Sequence, residues 1–290
     1  MKTKHTLLLL FLFGITLSTY SQVKDTTKKD TTKLGKLVKT ILTDTTQRKE
    51  TKKDTLAEKK LSKRFYGVPQ FAHETKLYFE TPLYWRTTDW ERFGITVAST
   101  AALLPFDESL NKLSQGNQRY YYSAPVVGGR IYGEWYTIGA ITVAFGGYGI
   151  LSHDTAAKKI AIELFQAGTY AELITEVLKF GTGRARPLQN EGAFTFHPFN
   201  LHNLYESFPS GHATSAFALS TVLFRHAHST FWKIMAFVPA GFTVFSRFYQ
   251  DWHWPSDLFF GSATGFATGM WVVTLHEKKL HKINIPADTK

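Results

Sequence analysis

The chain has 290 residues, of which 43% are hydrophobic, and its 24 Phe, 13 Tyr and 7 Trp suffice for a sizeable core and exclude a wholly disordered protein. Its formal net charge of +11 is concentrated at one end, because residues 1–64 hold 16 Lys and Arg against 6 Asp and Glu while the remaining residues are nearly neutral. A nucleic-acid-binding domain needs cations on a folded face, so this distribution predicts no nucleic-acid partner.

The N-terminus has the pattern of a secretory signal peptide. A basic start is followed by an apolar stretch at 7–17 and by small residues before Gln22. We therefore predict a signal peptide over residues 1–21, and hence an exported protein. An uncleaved membrane anchor is the alternative, although the apolar run is shorter than the roughly 20 residues that span a bilayer. The chain has no cysteine, which is compatible with export and excludes disulfides and thiolate metal sites.

Residues 22–64 are predicted to form a disordered basic tether rich in Thr, Lys and Asp. The pentapeptide Lys24-Asp-Thr-Thr-Lys28 repeats at once over 29–33, and apolar periodicity is confined to 34–42. The tether is either a soluble linker or a segment that contacts anionic lipid headgroups. The remaining predicted parts are a lead-in segment, a folded domain and a C-terminal tail, at 65–84, 85–280 and 281–290.

Six apolar stretches in the folded domain are long enough for helices and are separated by Gly, Pro or charge clusters. They lie at about 90–106, 131–152, 157–179, 212–227, 230–246 and 256–276. The pattern predicts an all-α fold, a helical bundle of about six core helices. Its longest loop is expected to run from Pro187 to Phe208.

Three short blocks between 179 and 257 supply side chains that suit a phosphate ester. The cations Lys179 and Arg186 belong to the first block, and Arg247 opens the third. Guanidinium groups pair with two phosphate oxygens at once, and an ammonium adds a point charge, so these three residues are candidate phosphate ligands. Arg184, also in the first block, either joins them or is a salt-bridged loop residue.

The second block, Pro209-Ser210-Gly211-His212, stands directly before a predicted helix. A helix N-terminus presents backbone N–H groups and the positive end of the dipole to an anion, and Gly211 lets the backbone approach closely. Ser210 offers a further donor. His212 is the candidate general acid for the departing oxygen.

The third block supplies a candidate nucleophile. His253 can attack phosphorus if its other ring nitrogen is held by a carboxylate, and Asp257, four residues later, is placed for that contact. Two imidazoles also fit a metal site, but the surrounding Lys and Arg repel cations. We therefore predict no metal and no cofactor.

In order and spacing these blocks resemble the type 2 phosphatidic acid phosphatase (PAP2) and vanadium haloperoxidase superfamily. Lys and Arg-Pro are separated by six residues, Pro-Ser-Gly-His follows, and Ser-Arg precedes His and Asp at five and three intervening residues. The resemblance covers about 85–280 and implies a six-helix core and metal-independent hydrolysis of phosphate esters. It implies phosphate binding by Lys179, Arg186, Arg247, Ser210 and Gly211, a proton donor at His212, a nucleophile at His253 and its orienting partner at Asp257.

Several substrate classes stay open. The first is a membrane lipid phosphate or diphosphate, such as an isoprenoid carrier diphosphate, phosphatidylglycerol phosphate or the lipid A headgroup. The second is a small soluble phosphomonoester, cleaved by an exported acid phosphatase. Halide oxidation on bound vanadate and non-catalytic phosphate-ligand binding are further alternatives. The aromatic loop at 194–199 either contacts acyl chains or packs over the site, and the sequence leaves the protein partners unknown.

Charge asymmetry bears on the membrane question. The ends of the last four helices that lie opposite the blocks carry seven cations, namely Lys158, Lys159, Arg225, Lys233, Lys278, Lys279 and Lys282. By the positive-inside rule those ends face the cytoplasm. We therefore predict an inner-membrane protein with an odd number of spans and a periplasm-facing site, with the first apolar stretch at the surface or packed on the bundle. A soluble periplasmic bundle is the alternative.

Overall fold

The computed structural model describes residues 67–116, 118–200 and 202–284. The predicted signal peptide, the predicted tether and the end of the C-terminal tail lie outside these ranges. Within them the predicted all-α fold is confirmed. In chain order the α-helices are α1 Val68–Glu80, α2 Thr87–Leu103, α3 Asp107–Gln115, α4 Ala124–Tyr132, α5 Trp135–Leu151, α6 Thr155–Thr182, α7 Gly211–His226, α8 Thr230–Tyr249 and α9 Pro255–Asn284.

All six predicted apolar stretches form helices, namely α2 and α5 to α9. The stretch predicted at 131–152 is divided, because α4 ends at Tyr132 and α5 begins at Trp135. The sequence analysis missed α1, α3 and α4. The predicted long loop after Pro187 is confirmed, with two short 3-10 turns inside it.

Both ends of α6 are fixed by local side-chain and backbone chemistry. Asp154 caps its start by accepting hydrogen bonds from the amides of Ala156 and Ala157, at 2.8 and 3.2 Å. Its end is Gly183, which has a φ of +56°. A Cβ at this position would lie 1.8 Å from the carbonyl oxygen of His197, so only glycine fits this turn, which lies within the first block between Lys179 and Arg186.

The core lies between α6, α7 and α9, where fully buried residues pack together. It includes Leu164, Tyr170, Leu219, Val222 and Val272. The partly buried Tyr78 of α1 stacks on Tyr170 at a ring distance of 4.8 Å, which joins the lead-in helix to this core.

The contact between α7 and α9 is unusually close. Three glycines at four-residue intervals line the face of α9 that meets α7, namely Gly261, Gly265 and Gly269. A Cβ at Gly265 would lie 2.1 Å from the carbonyl oxygen of Thr214, and one at Gly261 would lie 2.6 Å from that of Ser210. Small residues allow this approach of two backbones. The start of α7 in the second block and Asp257 of the third block are thereby held on one closely packed pair of helices.

Among the described residues, one helix is long and apolar enough to cross a bilayer by length and composition. It is Pro255–Lys278, with a mean hydropathy of 1.4 and 39% of its most apolar window buried. Helix α5 is apolar but shorter. A core helix of a soluble protein meets the same criteria, so the predicted odd number of spans stays a prediction.

Candidate active site

Four helix ends bring the three blocks together at one end of the bundle: the end of α6, the start of α7, the end of α8 and the start of α9. Within this pocket a guanidinium nitrogen of Arg186 lies 3.4 Å from Nε2 of His253. The charges of Arg186, His212 and Lys179 all act on His253. The structure therefore gathers the site residues that the sequence predicts.

Arg186 is buried and held by the loop that follows it. Its Nε donates to the carbonyl oxygen of Asn203 at 2.7 Å, and its Nη2 donates to Oδ1 of the same residue at 2.8 Å. Burial lowers the pKa of Arg186 to about 10, which still leaves it charged at neutral pH. Asn203 was missed by the sequence analysis because an asparagine in a long loop carries no pattern of its own.

Arg247 is 3% exposed and donates to the side-chain amide oxygen of Gln250. Gln250 in turn donates to the carbonyl oxygen of Tyr121 at 3.1 Å. The ring of Trp252 lies 4.8 Å from the guanidinium carbon of Arg186 and 6.0 Å from that of Arg247. One indole thus supports both guanidinium groups through cation–π contacts.

Lys179 lies beside the first residue of α7. Its Nζ is 2.6 Å from Oε1 of Glu176, and a Cβ at Gly211 would lie 3.3 Å from the same nitrogen. Gly211 therefore leaves room for the ammonium group of Lys179 at the helix N-terminus. Ser210 caps this helix by accepting from the amide of Ala213 at 3.4 Å, so its hydroxyl also has a structural task.

His212 lies against a carboxylate that the sequence analysis missed. Its Nε2 is 3.2 Å from Oε1 of Glu134, which immediately precedes α5. Burial is the largest effect on His212 and lowers its pKa overall, while Glu134 limits that shift by favouring the protonated ring. Reciprocally, the nearby His212 lowers the pKa of Glu134. Glu134 thus makes His212 easier to protonate than burial alone would allow.

His253 is held as a neutral imidazole. Its Nδ1 lies 2.8 Å from the carbonyl oxygen of Ser207. Because a carbonyl only accepts, Nδ1 carries the hydrogen and Nε2, on the side of Arg186, has the free electron pair. Burial lowers the pKa of His253 well below its usual value, and the charges of Arg186 and His212 lower it further. The ring is therefore unprotonated at neutral pH.

Asp257 does not make the predicted direct hydrogen bond to His253. Its Oδ2 lies 4.0 Å from Nδ1, beyond hydrogen-bond distance. The same oxygen accepts from the hydroxyl of Ser207 and from the amide of Trp254, the latter at 2.9 Å. These bonds direct Asp257 away from the ring. The carboxylate fixes the Ser207 segment, whose carbonyl then orients His253.

The sequence left two roles open for Arg184, a phosphate ligand or a salt-bridged loop residue. The structure shows the salt-bridged one. The side chain is fully buried, and it donates to Asp107, Ser256 and Asp257. Its guanidinium group is thus engaged behind the pocket. Among the described residues, no group of three or more His, Cys, Asp or Glu side chains is arranged to hold a metal ion.

The fold and this pocket define a helical bundle with a basic, histidine-containing anion site at one end. Residues 161–281 match the family model described as the PAP2 superfamily, so the resemblance predicted from the three blocks is confirmed.

Two curated relatives match part of the chain. The lipid A 1-phosphatases of Rhizobium johnstonii and Rhizobium etli are each 37% identical over 111 residues, which is 37% of this chain. The alignments cover 43% and 46% of those proteins, so the chain spans less than half the length of the curated relatives it matches.

A solved structure shares the fold. It is described as the first transmembrane PAP2 type phosphatidylglycerolphosphate phosphatase from Bacillus subtilis. The likeness covers 65% of this chain and 95% of that one, with a TM-score of 0.52 and 23% identity. At this level of identity the likeness establishes the helical architecture alone.

Proposed function

We propose that this protein is a metal-independent phosphatase that cleaves phosphate esters through a covalent intermediate on His253. One observation carries the proposal: an unprotonated Nε2 lies 3.4 Å from the guanidinium group of Arg186, inside a pocket of cations. A nucleophile beside fixed positive charge is what attack on an anionic phosphate requires.

In the first step the phosphate oxygens are bound by Lys179, Arg186 and Arg247, with the start of α7 against them. Nε2 of His253 forms a bond to phosphorus while the bond from phosphorus to the ester oxygen breaks. The departing oxygen takes the proton of His212. The ring of His253 then carries a positive charge, which the Ser207 carbonyl and the nearby Asp257 carboxylate stabilise.

In the second step His212, now neutral, takes a proton from water. The oxygen of that water forms a bond to phosphorus, and the bond between phosphorus and Nε2 breaks. Inorganic phosphate leaves, and both histidines return to their starting protonation states. Neither step needs a metal ion, since the three cations and the helix end supply the positive charge.

A phosphorylated membrane lipid is the substrate class that the chain supports best. The two curated relatives that match 37% of the chain are lipid A 1-phosphatases. The molecule also exposes many large apolar side chains on one helix, which suits contact with lipid. On α8 these are Phe231, Trp232, Ile234, Met235, Phe242 and Phe245. A soluble phosphomonoester is the alternative substrate.

The proposal also covers where the protein lies in the cell and which side of the membrane its pocket faces. A lipid substrate, the apolar helix Pro255–Lys278 and the exposed apolar residues favour a membrane-bound bundle. The positive-inside rule favours a pocket on the periplasmic side of the inner membrane. The phosphatase domain then corresponds to residues 85–280, after the signal peptide and the tether.

The experiment that tests the proposed function is a phosphate-release assay on the purified protein in chelator, with and without detergent. We expect release from at least one lipid phosphate or diphosphate in mixed micelles, at a kcat/KM above that for a water-soluble phosphomonoester. Preference for the soluble ester would favour the alternative substrate. No release from any ester, or release only after a divalent metal is added, would contradict the proposed mechanism.

A further inference from the structure

Asp107 is a buried carboxylate that lies behind the pocket. It belongs to none of the three blocks. It is the first residue of α3 and lies outside the segment 161–281 that matches the family model. Its side chain is fully buried. A carboxylate in such a place must have partners that compensate for its loss of water.

Asp107 links Ser256 to Arg184, two residues that contact the third block. Its Oδ1 accepts from the amide of Ser256 at 3.0 Å, and its Oδ2 accepts from the Ser256 hydroxyl. Oδ2 also accepts from Nη2 of Arg184 at 2.8 Å. The carboxylate therefore fixes both the first turn of α9 and the guanidinium group of Arg184.

Every N–H group of Arg184 has an acceptor. Nε and Nη2 donate to the carbonyl oxygen of Ala193 at 2.9 and 2.7 Å, and Nη2 also donates to Asp107. Nη1 donates to Ser256 at 2.8 Å and to Oδ1 of Asp257. Arg184 thus bridges the two buried carboxylates, and the planar fork of a guanidinium is needed to reach both.

We infer that Asp107 is a positioning residue of this active site, which acts through Arg184 on Asp257 and so on His253. This inference rests on the proposed function. Burial raises the pKa of Asp257 to about 6, so the carboxylate is ionised at neutral pH, and Asp107, Arg184 and Asp257 then carry one net negative charge. Asp257 brings that charge to 4.0 Å from the ring of His253, whose other charged neighbours are Lys179, Arg186 and His212, with Arg247 and Glu134 next to His212.

The net charge matters because His253 becomes positive when it bonds to phosphorus. Without the Asp107 charge, Arg184 would neutralise Asp257 alone, and the positive ring would lose its electrostatic support. The cations that bind phosphate lie on the other side of His253 and keep their partners. Loss of the Asp107 charge should therefore lower the rate of the covalent step and leave phosphate binding unchanged.

Asp107→Asn is the test, and Glu108→Gln is its matched control. Glu108 is the next residue, also a carboxylate, and its Oε1 accepts from the amide of Ala193 at 3.1 Å, so it reaches Arg184 and Asp257 only through the Ala193 backbone and not by direct contact. For Asp107→Asn we expect kcat to fall by about tenfold or more, the effect of one lost charge-assisted hydrogen bond. Inhibition by inorganic phosphate should stay within about twofold of wild type, which also shows that the variant is folded.

The pH profile of kcat/KM separates this role from a structural one. Removal of the Asp107 charge favours the unprotonated ring of His253 and also lowers the pKa of Asp257, which Asp107 raises. Both effects should move the acid limb of the profile to lower pH in Asp107→Asn and not in Glu108→Gln. Mere loosening of α3 would not move the limb in that direction. An unchanged kcat, or an unshifted limb, would overturn the inference.

A second variant decides the question if Asp107→Asn does not fold. Arg184→Lys keeps the positive charge, but one ammonium cannot bridge both carboxylates. We expect a similar loss of kcat with an unshifted acid limb, and wild-type kcat would overturn the inference. A wild-type protein that releases no phosphate would instead refute the proposed function, so the two failures are distinguishable.

Discussion

The two histidines of the pocket differ in what their ring nitrogens contact, and this difference assigns their roles. His253 donates from Nδ1 to the carbonyl oxygen of Ser207, which leaves Nε2 free to attack. His212 has a carboxylate, Glu134, 3.2 Å from its Nε2, which favours the protonated form. In the proposed mechanism one ring therefore acts as the nucleophile and the other as the acid, although both are buried in the same pocket of cations.

Glu134→Gln tests the role of the carboxylate beside His212. The protonated ring is the active form and exists below its pKa. Loss of the carboxylate charge lowers the pKa of His212. As the pH is raised, activity should therefore begin to fall at a lower pH than in the wild type. We expect the basic limb of the kcat profile to shift downward and kcat at pH 8 to fall by about tenfold.

Glu191→Gln is the control for that shift. Glu191 also pairs with a histidine, His197, at 3.4 Å, but on the exposed loop. Its substitution should leave the basic limb in place. If both variants show the same profile, the pairing of Glu134 with His212 does not tune the proton donor.

At the scale of elements, the close packing of α7 on α9 fixes the second block relative to Asp257 and to His253, which lies just before α9. The approach depends on glycines along α9, and Gly265 has the least room, since a Cβ would lie 2.1 Å from the carbonyl oxygen of Thr214. Backbone cannot yield as a flexible side chain can. The helices would have to separate, and the start of α7, with Gly211 and His212, would move away from His253.

Gly265→Ala should therefore destabilise the protein by about 2–3 kcal/mol, the usual cost of overpacking. Thermal unfolding in detergent, followed by circular dichroism, measures this, and activity should be lost at a correspondingly lower temperature. Gly147→Ala in α5 is the control, because a Cβ there meets nothing within 4 Å. It should change stability by no more than about 1 kcal/mol. Equal melting temperatures for the two variants would contradict the close-packing argument.

The sequence predicted the residues of the three blocks because each block is short and has fixed spacing. The glycines repeated at four-residue intervals from Gly261 to Gly269 also indicate a close helix pair, but no such pair was predicted from them. The supporting residues could not be found in this way. Glu134, Asn203 and Asp107 come from separate elements, and only folding brings them to the pocket.

The same limit applies to the elements themselves. The six long helices show clear apolar stretches, whereas α3, Asp107–Gln115, is short and mostly polar. Helix α4, Ala124–Tyr132, contains two adjacent glycines and merges in sequence with the apolar stretch of α5. Tertiary packing stabilises such segments, and local propensity does not reveal them. The direct contact expected between His253 and Asp257 was wrong for a related reason, since i,i+4 spacing does not show which partner a buried carboxylate prefers.

At the scale of the whole molecule, the site lies at one end of the bundle. The cations used for the positive-inside argument lie at the other end. Among the described cations, Lys158 and Lys159 are near the start of α6, and Arg225 and Lys233 flank the turn between α7 and α8. This arrangement underlies the proposed orientation, with the pocket outside the cytoplasm.

The absence of cysteine makes that orientation measurable with single-cysteine variants. Phe194→Cys lies on the long loop beside the pocket, where Phe194 is 62% exposed, and His228→Cys lies in the exposed turn between α7 and α8. In spheroplasts of a bacterial host, a membrane-impermeant maleimide should label the first variant directly and the second only after lysis. The reverse pattern would refute the orientation, and equal labelling would refute a membrane-spanning bundle.

The central claim is that His253 carries the phosphoryl group, and an acid-sensitive, base-stable phosphoenzyme tests it most directly. Wild-type protein is mixed in chelator with a substrate whose phosphate is radiolabelled, and the reaction is stopped in base within the first turnover. We predict that label is attached to the wild-type protein at His253, and that His253→Ala shows neither label nor phosphate release. Phosphate release by His253→Ala at a rate near wild type would contradict the account.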